Sequence, residues 1–204
     1  NITINATILN ASDLAQVTLT WNETNHTIYD STTKLLLTFD NITSIGDTST
    51  TITDQSQYNN NLQLQGTAHT TPNGKYGSAL ELNGQGQAQW KNGDHETLNI
   101  ADNNYTLSIW IKYSYNTTKY YGMPIIDIAE PGFTPYMLTI GGTAWNQDPG
   151  SIALVHNTNR YQGAGSNLND NQWHHITTTH TTDNTVQIYI DGQNVSYTYV
   201  GGAQ

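Results

Sequence analysis

Apolar and polar residues alternate with a period of two along most of this chain, and no stretch keeps a 3.6-residue apolar period over the ten or more positions a helix needs. The alternation is cleanest from Tyr105 to Tyr113, where Leu107, Ile109 and Ile111 fall on one face and Thr106, Ser108, Trp110 and Lys112 on the other. Similar runs predict strands at Gln16 to Trp21, Lys34 to Phe39, Asn61 to Gln65, Ala79 to Leu82, Met123 to Ile128, Tyr136 to Ile140, Ser151 to His156, Trp173 to Thr179 and Thr185 to Ile190. Short strands separated by Gly, Asn, Asp and Pro clusters predict an all-β antiparallel sandwich. Its expected core is Leu36, Phe39, Leu80, Leu82, Leu107, Ile109, Ile111, Ile126, Leu138, Leu154, Ile176, Ile188 and Ile190, and Trp110 and Trp173 are large enough to fill the space between two sheets, with stacking on a ligand as the second reading of both.

A soft boundary falls near Asp30 to Lys34. Before it, Val17, Leu19 and Trp21 alternate, Asn22 to Asn25 reads as a turn, and His26 to Tyr29 returns as a second strand. Residues 1–30 are therefore expected to form a strand arm or the end of a neighbouring module, and 31–204 the main domain. Near the other end, Asp191-Gly192 suits a tight hairpin that returns through Val195, Tyr197 and Tyr199.

Composition narrows the function. Charged residues are only 11% of the 204, less than half of what is usual, and the formal net charge is -10. Such a chain repels phosphate backbones, so nucleic acid is not an expected partner. Cysteine is absent, which removes disulfides and thiolate metal sites. No run approaches the roughly 18 apolar residues that cross a bilayer, so membrane insertion of this chain is not expected either. Asn1 opens no signal-peptide pattern, and any leader is expected to have been removed or to lie outside the chain. The sequon Asn-x-Ser/Thr recurs at Asn1, Asn5, Asn10, Asn22, Asn25, Asn41, Asn104, Asn116 and Asn194. Read as glycosylation sites, above all Asn22, Asn25, Asn41, Asn104, Asn116 and Asn194, they place the chain outside the cell; read as chance, they follow from an Asn- and Thr-rich sequence.

From Lys34 onward, a series of local signatures resembles the laminin-G-like jelly roll of the concanavalin A-like superfamily, as found in prokaryotic cell-surface proteins. Leu35-Leu36-Leu37-Thr38-Phe39-Asp40 is similar to the family's opening strand, and Asp54-Gln55-Ser56 with Asn59-Asn60-Asn61 to its D-x-S-G-x-x-N turn. Gly74-Lys75-Tyr76-Gly77-Ser78-Ala79-Leu80 resembles G-K-F-G-x-A-L, and Tyr105 to Lys112 the T-I-S-x-W-V-K strand. Trp173-His174-His175-Ile176 and Ile188-Tyr189-Ile190-Asp191-Gly192 are similar to W-H-H-V and L-Y-I-D-G. The resemblance implies a jelly-roll β-sandwich. It also implies that the family's closing strands, which usually follow the last signature, are missing before Gln204.

Glycoside hydrolases occur in this superfamily, and retaining ones need two carboxylates about 5 Å apart. No E-x-D-x-x-E pattern exists here; Glu23, Glu81, Glu96 and Glu130 are scattered, and there is no G-x-S-x-G elbow, so an enzyme is not expected. His174 and His175 are strand neighbours on opposite faces and cannot share one metal ion. For Asp40, Asp54 and Asp191, at strand-to-turn junctions, two readings stand: each caps its own turn, or they supply oxygen ligands to calcium. The densest cluster of aromatic and amide side chains is Ala144 to Tyr161, where Trp145, Asn146, Asp148, Arg160 and Tyr161 are candidates for glycan binding and equally for packing or subunit contact.

Two functions follow. One is an extracellular structural or adhesive surface module that partners copies of itself or adjoining modules; the other is a carbohydrate-binding, lectin-like recognition module. Under the first, the arm, with Ile2, Ile4, Ala6 and Ile8 alternating, is expected to add as a strand to the open sheet of a neighbour and build a filament. Its rivals are an arm that folds back on its own sandwich, and a chain that is an excerpt of a longer protein.

Overall fold

Every strand pairing among the described residues is antiparallel. The computed structural model describes residues 17–21, 24–90, 96–114, 123–128, 135–141, 150–163 and 167–200. Helical structure within them is confined to the 3-10 turns Thr43–Ile45 and Glu96–Leu98. The backbone divides into two units, Asn1–Leu98 and Asn99–Gln204.

In the first unit, β1 (Val17–Trp21) and β2 (Thr24–Tyr29) pair with each other as a separate two-stranded sheet, with a register shift at Val17/Thr18. Strands β3 (Thr51–Ile52), β4 (Leu62–Gln65) and β7 (Gln87–Trp90) form a second sheet, and β5 (His69–Thr71) with β6 (Ala79–Glu81) a third. The expected opening strand, Lys34 to Phe39, joins no ladder. Its backbone is tied to a loop instead: Leu36 N–H donates to Asp54 Oδ1 at 2.8 Å, and Gln55 N–H donates to Leu36 O at 2.9 Å. Leu36 consequently stays 39% exposed and Leu82, just past the end of β6, 49% exposed, so neither belongs to the core that alternation predicted for them.

Among its described residues the second unit holds nine strands: β8 (Tyr105–Lys112), β9 (Met123–Ile128), β10 (Tyr136–Ile140), β11 (Ile152–His156), β12 (Asn159–Gly163), β13 (Trp173–His180), β14 (Val186–Ile190), β15 (Gln193–Val195) and β16 (Tyr197–Val200). They make a five-stranded sheet, order β16-β12-β11-β10-β9, and a four-stranded sheet, order β15-β14-β13-β8. The sheets share one core. Leu138, Ile140, Ile152, Leu154 and Tyr161 come from the first, Ile176, Val186 and Ile188 from the second, and Leu168 from the connection before β13. Burying these side chains out of water, at about 1.5–3 kcal/mol for each large one, is what holds the sandwich together.

The return from Asp191-Gly192 is not one strand. Gln193–Val195 pairs with β14, but after Ser196 the chain changes sheets, and Tyr197–Val200 pairs with β12. Contacts of Tyr161 with Tyr197 and Tyr199, each 5.5 Å between ring centroids, hold the crossing strand where it lands.

Candidate functional site

Inward positions fix which side chains the four-stranded sheet shows to its other side. Ile176, Thr178 and His180 of β13 and Val186 and Ile188 of β14 are buried, and Leu107, Ile109 and Ile111 of β8 pack against the core. Their alternates face outward: Thr106, Ser108, Trp110 and Lys112; Trp173, His175, Thr177 and Thr179; and Gln187 and Tyr189. The register sets Lys112 beside Trp173, Trp110 beside His175, Ser108 beside Thr177 and Thr177 beside Tyr189. Trp110 lies on His175 with centroids 5.0 Å apart and planes tilted by 30°, and Ser108 Oγ is 2.9 Å from His175 Nε2. Tyr189 Oη donates to Gln187 Oε1 at 2.7 Å. Thr106, Ser108, Lys112 and Gln187 are exposed, and the aromatic side chains between them are half-buried. Trp110 and Trp173 therefore line an outer face rather than filling the space between the sheets, because their strand parity opposes that of the core residues.

The five-stranded sheet is more closed on its outer side: Thr139, Ala153 and Arg160 there are 0%, 0% and 2% exposed, Met137, Val155 and Gln162 are half-buried, and exposure is confined to Pro124 and Asp127 of β9 among the described residues of β9 to β12. The open face of the four-stranded sheet carries aromatic rings, hydroxyls, an amide and one lysine. The carboxylate at its end, Asp191, is engaged in the hairpin and with His174.

Of the residues expected to bind a glycan, Trp145, Asn146 and Asp148 lie outside the described residues. Arg160 and Tyr161 belong to strand β12, and as strand neighbours they point to opposite sides, so one ligand cannot touch both. Tyr161 is packed in the core. Arg160 is buried on the other side, where Nη2 donates to Gln162 Oε1 at 3.0 Å and burial pushes its guanidinium down to about 10, still charged at neutral pH.

The three aspartates expected at turns each accept hydrogen bonds there. Asp54 is buried and receives four donors: Leu36 N–H (2.8 Å) and Ser56 N–H (2.9 Å) on Oδ1, and Ser56 Oγ–H (2.6 Å) and Asn60 N–H (2.9 Å) on Oδ2. Asp40 Oδ1 accepts Ser78 N–H at 2.8 Å and packs against Gly77, whose φ of +64° and closeness to that carboxylate leave no room for a Cβ. The G-K-Y-G-S signature thus has a physical cause. Among the described residues no three His, Asp or Glu side chains are grouped to hold a metal ion. Of the sequon asparagines, Asn41, Asn104 and Asn194 are exposed, while Asn22, Asn116 and the side chain of Asn25 lie outside the described residues.

Two signatures meet at the hairpin. Asp191 Oδ2 is 2.7 Å from His174 Nδ1, Oδ1 accepts His175 N–H at 2.8 Å, and Asp170 Oδ1 is 3.2 Å from His174 Nε2. Desolvation pulls the His174 pKa down, but hydrogen bonds to Asp191 and Asp170 and their charges more than reverse it, so the net shift is upward. His174 and His175 do face opposite ways, one toward these carboxylates and the other toward Ser108 and Trp110.

A profile of laminin-G type, described as the concanavalin A-like lectin/glucanases superfamily, matches residues 82–203, more than half of the chain. The chain belongs to that superfamily, and its fold is an all-β antiparallel jelly-roll sandwich with an N-terminal strand arm. No curated protein and no solved structure matches it. Membership fits a carbohydrate-binding or surface module.

Proposed function

We propose that this chain is a non-catalytic module of an extracellular surface protein, and that it adheres by holding neutral carbohydrate on the outward face of its four-stranded sheet. The observation that carries the reading is the chemistry of that face. Trp110, His175, Trp173 and Tyr189 offer ring faces for the C–H side of a sugar, and Ser108, Thr177 and Gln187 offer neutral donors and acceptors for its hydroxyls. No pair of acidic side chains flanks these rings among the described residues, whereas the retaining mechanism needs two about 5 Å apart. Exposed sequons at Asn41, Asn104 and Asn194 agree with an extracellular setting. The test is a glycan array probed with the intact chain, alongside Trp110→Ala and Tyr189→Ala variants that keep the parent's circular dichroism. Selective binding to neutral glycans, lost in both variants, supports the reading; binding that survives both substitutions sinks it.

A second reading, assembly into a filament by strand addition, is favoured by one observation. Strand β16 is at the edge of the five-stranded sheet, and its Tyr197 and Tyr199 are 37% and 55% exposed. The donor would be the alternating segment Ile2 to Ile8, outside the described residues, since β1 and β2 already satisfy one edge of each other. Native mass spectrometry of the chain with and without residues 1–16 tests this. A polymer that dissolves on truncation supports strand addition, and identical masses contradict it.

A further inference from the structure

One end of the C-terminal sandwich is closed by four packed rings, two from each sheet. Tyr105, the first residue of β8, is the register partner of His180, the last of β13; Tyr136, the first of β10, is the partner of His156, the last of β11. These two cross-strand pairs meet across the interface. His156 lies on His180 with centroids 3.8 Å apart and planes within 18°, Tyr105 lies on His180 at 5.1 Å and 17°, and Tyr105 and Tyr136 are 5.4 Å apart. All four side chains are buried.

The polar complement of this plug is thin. His156 Nδ1 is 3.3 Å from Tyr105 Oη, a long contact, and among the described residues neither ring nitrogen of His180 has a hydrogen-bond partner of ordinary geometry. Among the described residues, the charged groups that act on the pair are Asp102, in the turn before β8, on His156, and Asp183, in the β13–β14 turn, on His180. Asp183 is already held by Thr181 Oγ1 and the N–H of Thr185. Asn184 and the backbone of Asn103 also favour a proton on His180. The other titratable members, Tyr105 and Tyr136, have phenols pushed upward by burial and stay neutral. Attraction between an imidazolium and the Tyr105 ring offsets part of a first protonation. A second is opposed more strongly than the first, because two imidazoliums would then face each other at stacking distance.

We propose that the His156–His180 stack is an acid-sensitive joint between the two sheets: neutral, it closes this end of the core, and protonation parts the sheets there. Desolvation lowers the pKa of both histidines, and the mutual charge lowers that of His156 further. The unfolded chain then binds more protons than the folded one below pH 6.5, so the joint's contribution is complete above that pH and falls as pH drops toward the folded values. Each histidine held neutral raises the unfolding constant by about tenfold per pH unit in that window, and the pair by at most about a hundredfold. A surface protein carrying this joint loosens on moving from a neutral to an acidic medium.

The test is urea unfolding of the intact chain between pH 8 and pH 4.5, set against His180→Phe, which keeps a ring in the stack and removes its proton site. The parent's unfolding constant is expected to rise steeply below pH 6.5, and the variant to lose about tenfold per pH unit of that rise. Equal pH dependence in the two proteins overturns the proposal. Should His180→Phe fail to fold, the imidazole resonances of the parent decide. Both rings remaining neutral at pH 6 supports the joint, and either one titrating at 6.5 or above contradicts it.

Discussion

Asp191 and His174 are held together across the β13–β14 hairpin, with Asp191 Oδ2 2.7 Å from His174 Nδ1. The same aspartate takes the N–H of His175 on its other oxygen and gives its own N–H to the carbonyl of His175 at 2.9 Å. Its φ is +51° and that of Gly192 +78°, the left-handed pair that a two-residue hairpin turn requires. The signatures Trp173-His174-His175-Ile176 and Ile188-Tyr189-Ile190-Asp191-Gly192 are therefore two halves of one clamp, which stiffens the outward face beside it.

The clamp has a defined pH window. The His174 pKa is raised above its ordinary 6.5, so its contribution is full below 6.5 and is lost as pH climbs through the folded value. The Asp191 pKa is lowered below 3.8, so its contribution is present above 3.8 and is lost as pH falls through the folded value. Asp191→Asn should move the His174 titration to lower pH. The variant should lose about 0.5–1 kcal/mol at pH 5.5 and less at pH 8.5, as expected of a partly exposed pair. Histidine resonances and urea midpoints at the two pH values check both statements.

Thr178 places a hydroxyl where no described residue receives it. The residue is 0% exposed between Ile176 and His180, and Oγ1 has no hydrogen-bond partner among the described residues. Thr178→Val removes the unpaired group at nearly constant shape and should stabilise the sandwich by about 1 kcal/mol. A lower melting temperature for the variant would contradict this.

Asp54 organises its turn through four donors, three of them backbone N–H groups. Asp54→Ala should cost about 2–4 kcal/mol, the penalty for stranding several buried donors. Chelation of divalent ions should leave the parent's melting curve unchanged, since those lone pairs are already occupied. Calorimetry of parent and variant, with and without chelator, measures both effects.

Much of the fold was legible because a buried strand announces itself by alternation. Tyr105–Lys112, Met123–Ile128 and Tyr136–Ile140 fall within the ranges their patterns predicted. The missed strands give too little of that signal: Gln87–Trp90 alternates over only four residues and pairs with the distant β4, and Asn159–Gly163 is mostly polar. Leu35 to Phe39 misled in the opposite sense, since an apolar run reads as a strand even when its backbone is spent on the Asp54 turn. The face that carries Trp110 was visible in the sequence, but alternation separates two faces without saying which one is inside. The stacked histidines were not legible at all, because His156 and His180 meet only when the ends of two sheets come together.

The outward face of the four-stranded sheet is the proposed seat of neutral carbohydrate. The most direct measurement is residue-resolved NMR of the intact chain titrated with neutral gluco-, manno- and galacto-oligosaccharides. The account predicts saturable shifts at the Trp110 indole, His175, Thr177 and Tyr189, with the buried β10 and β11 resonances undisturbed. Shifts centred elsewhere on the chain, or no saturable shift with any of the three, would contradict it.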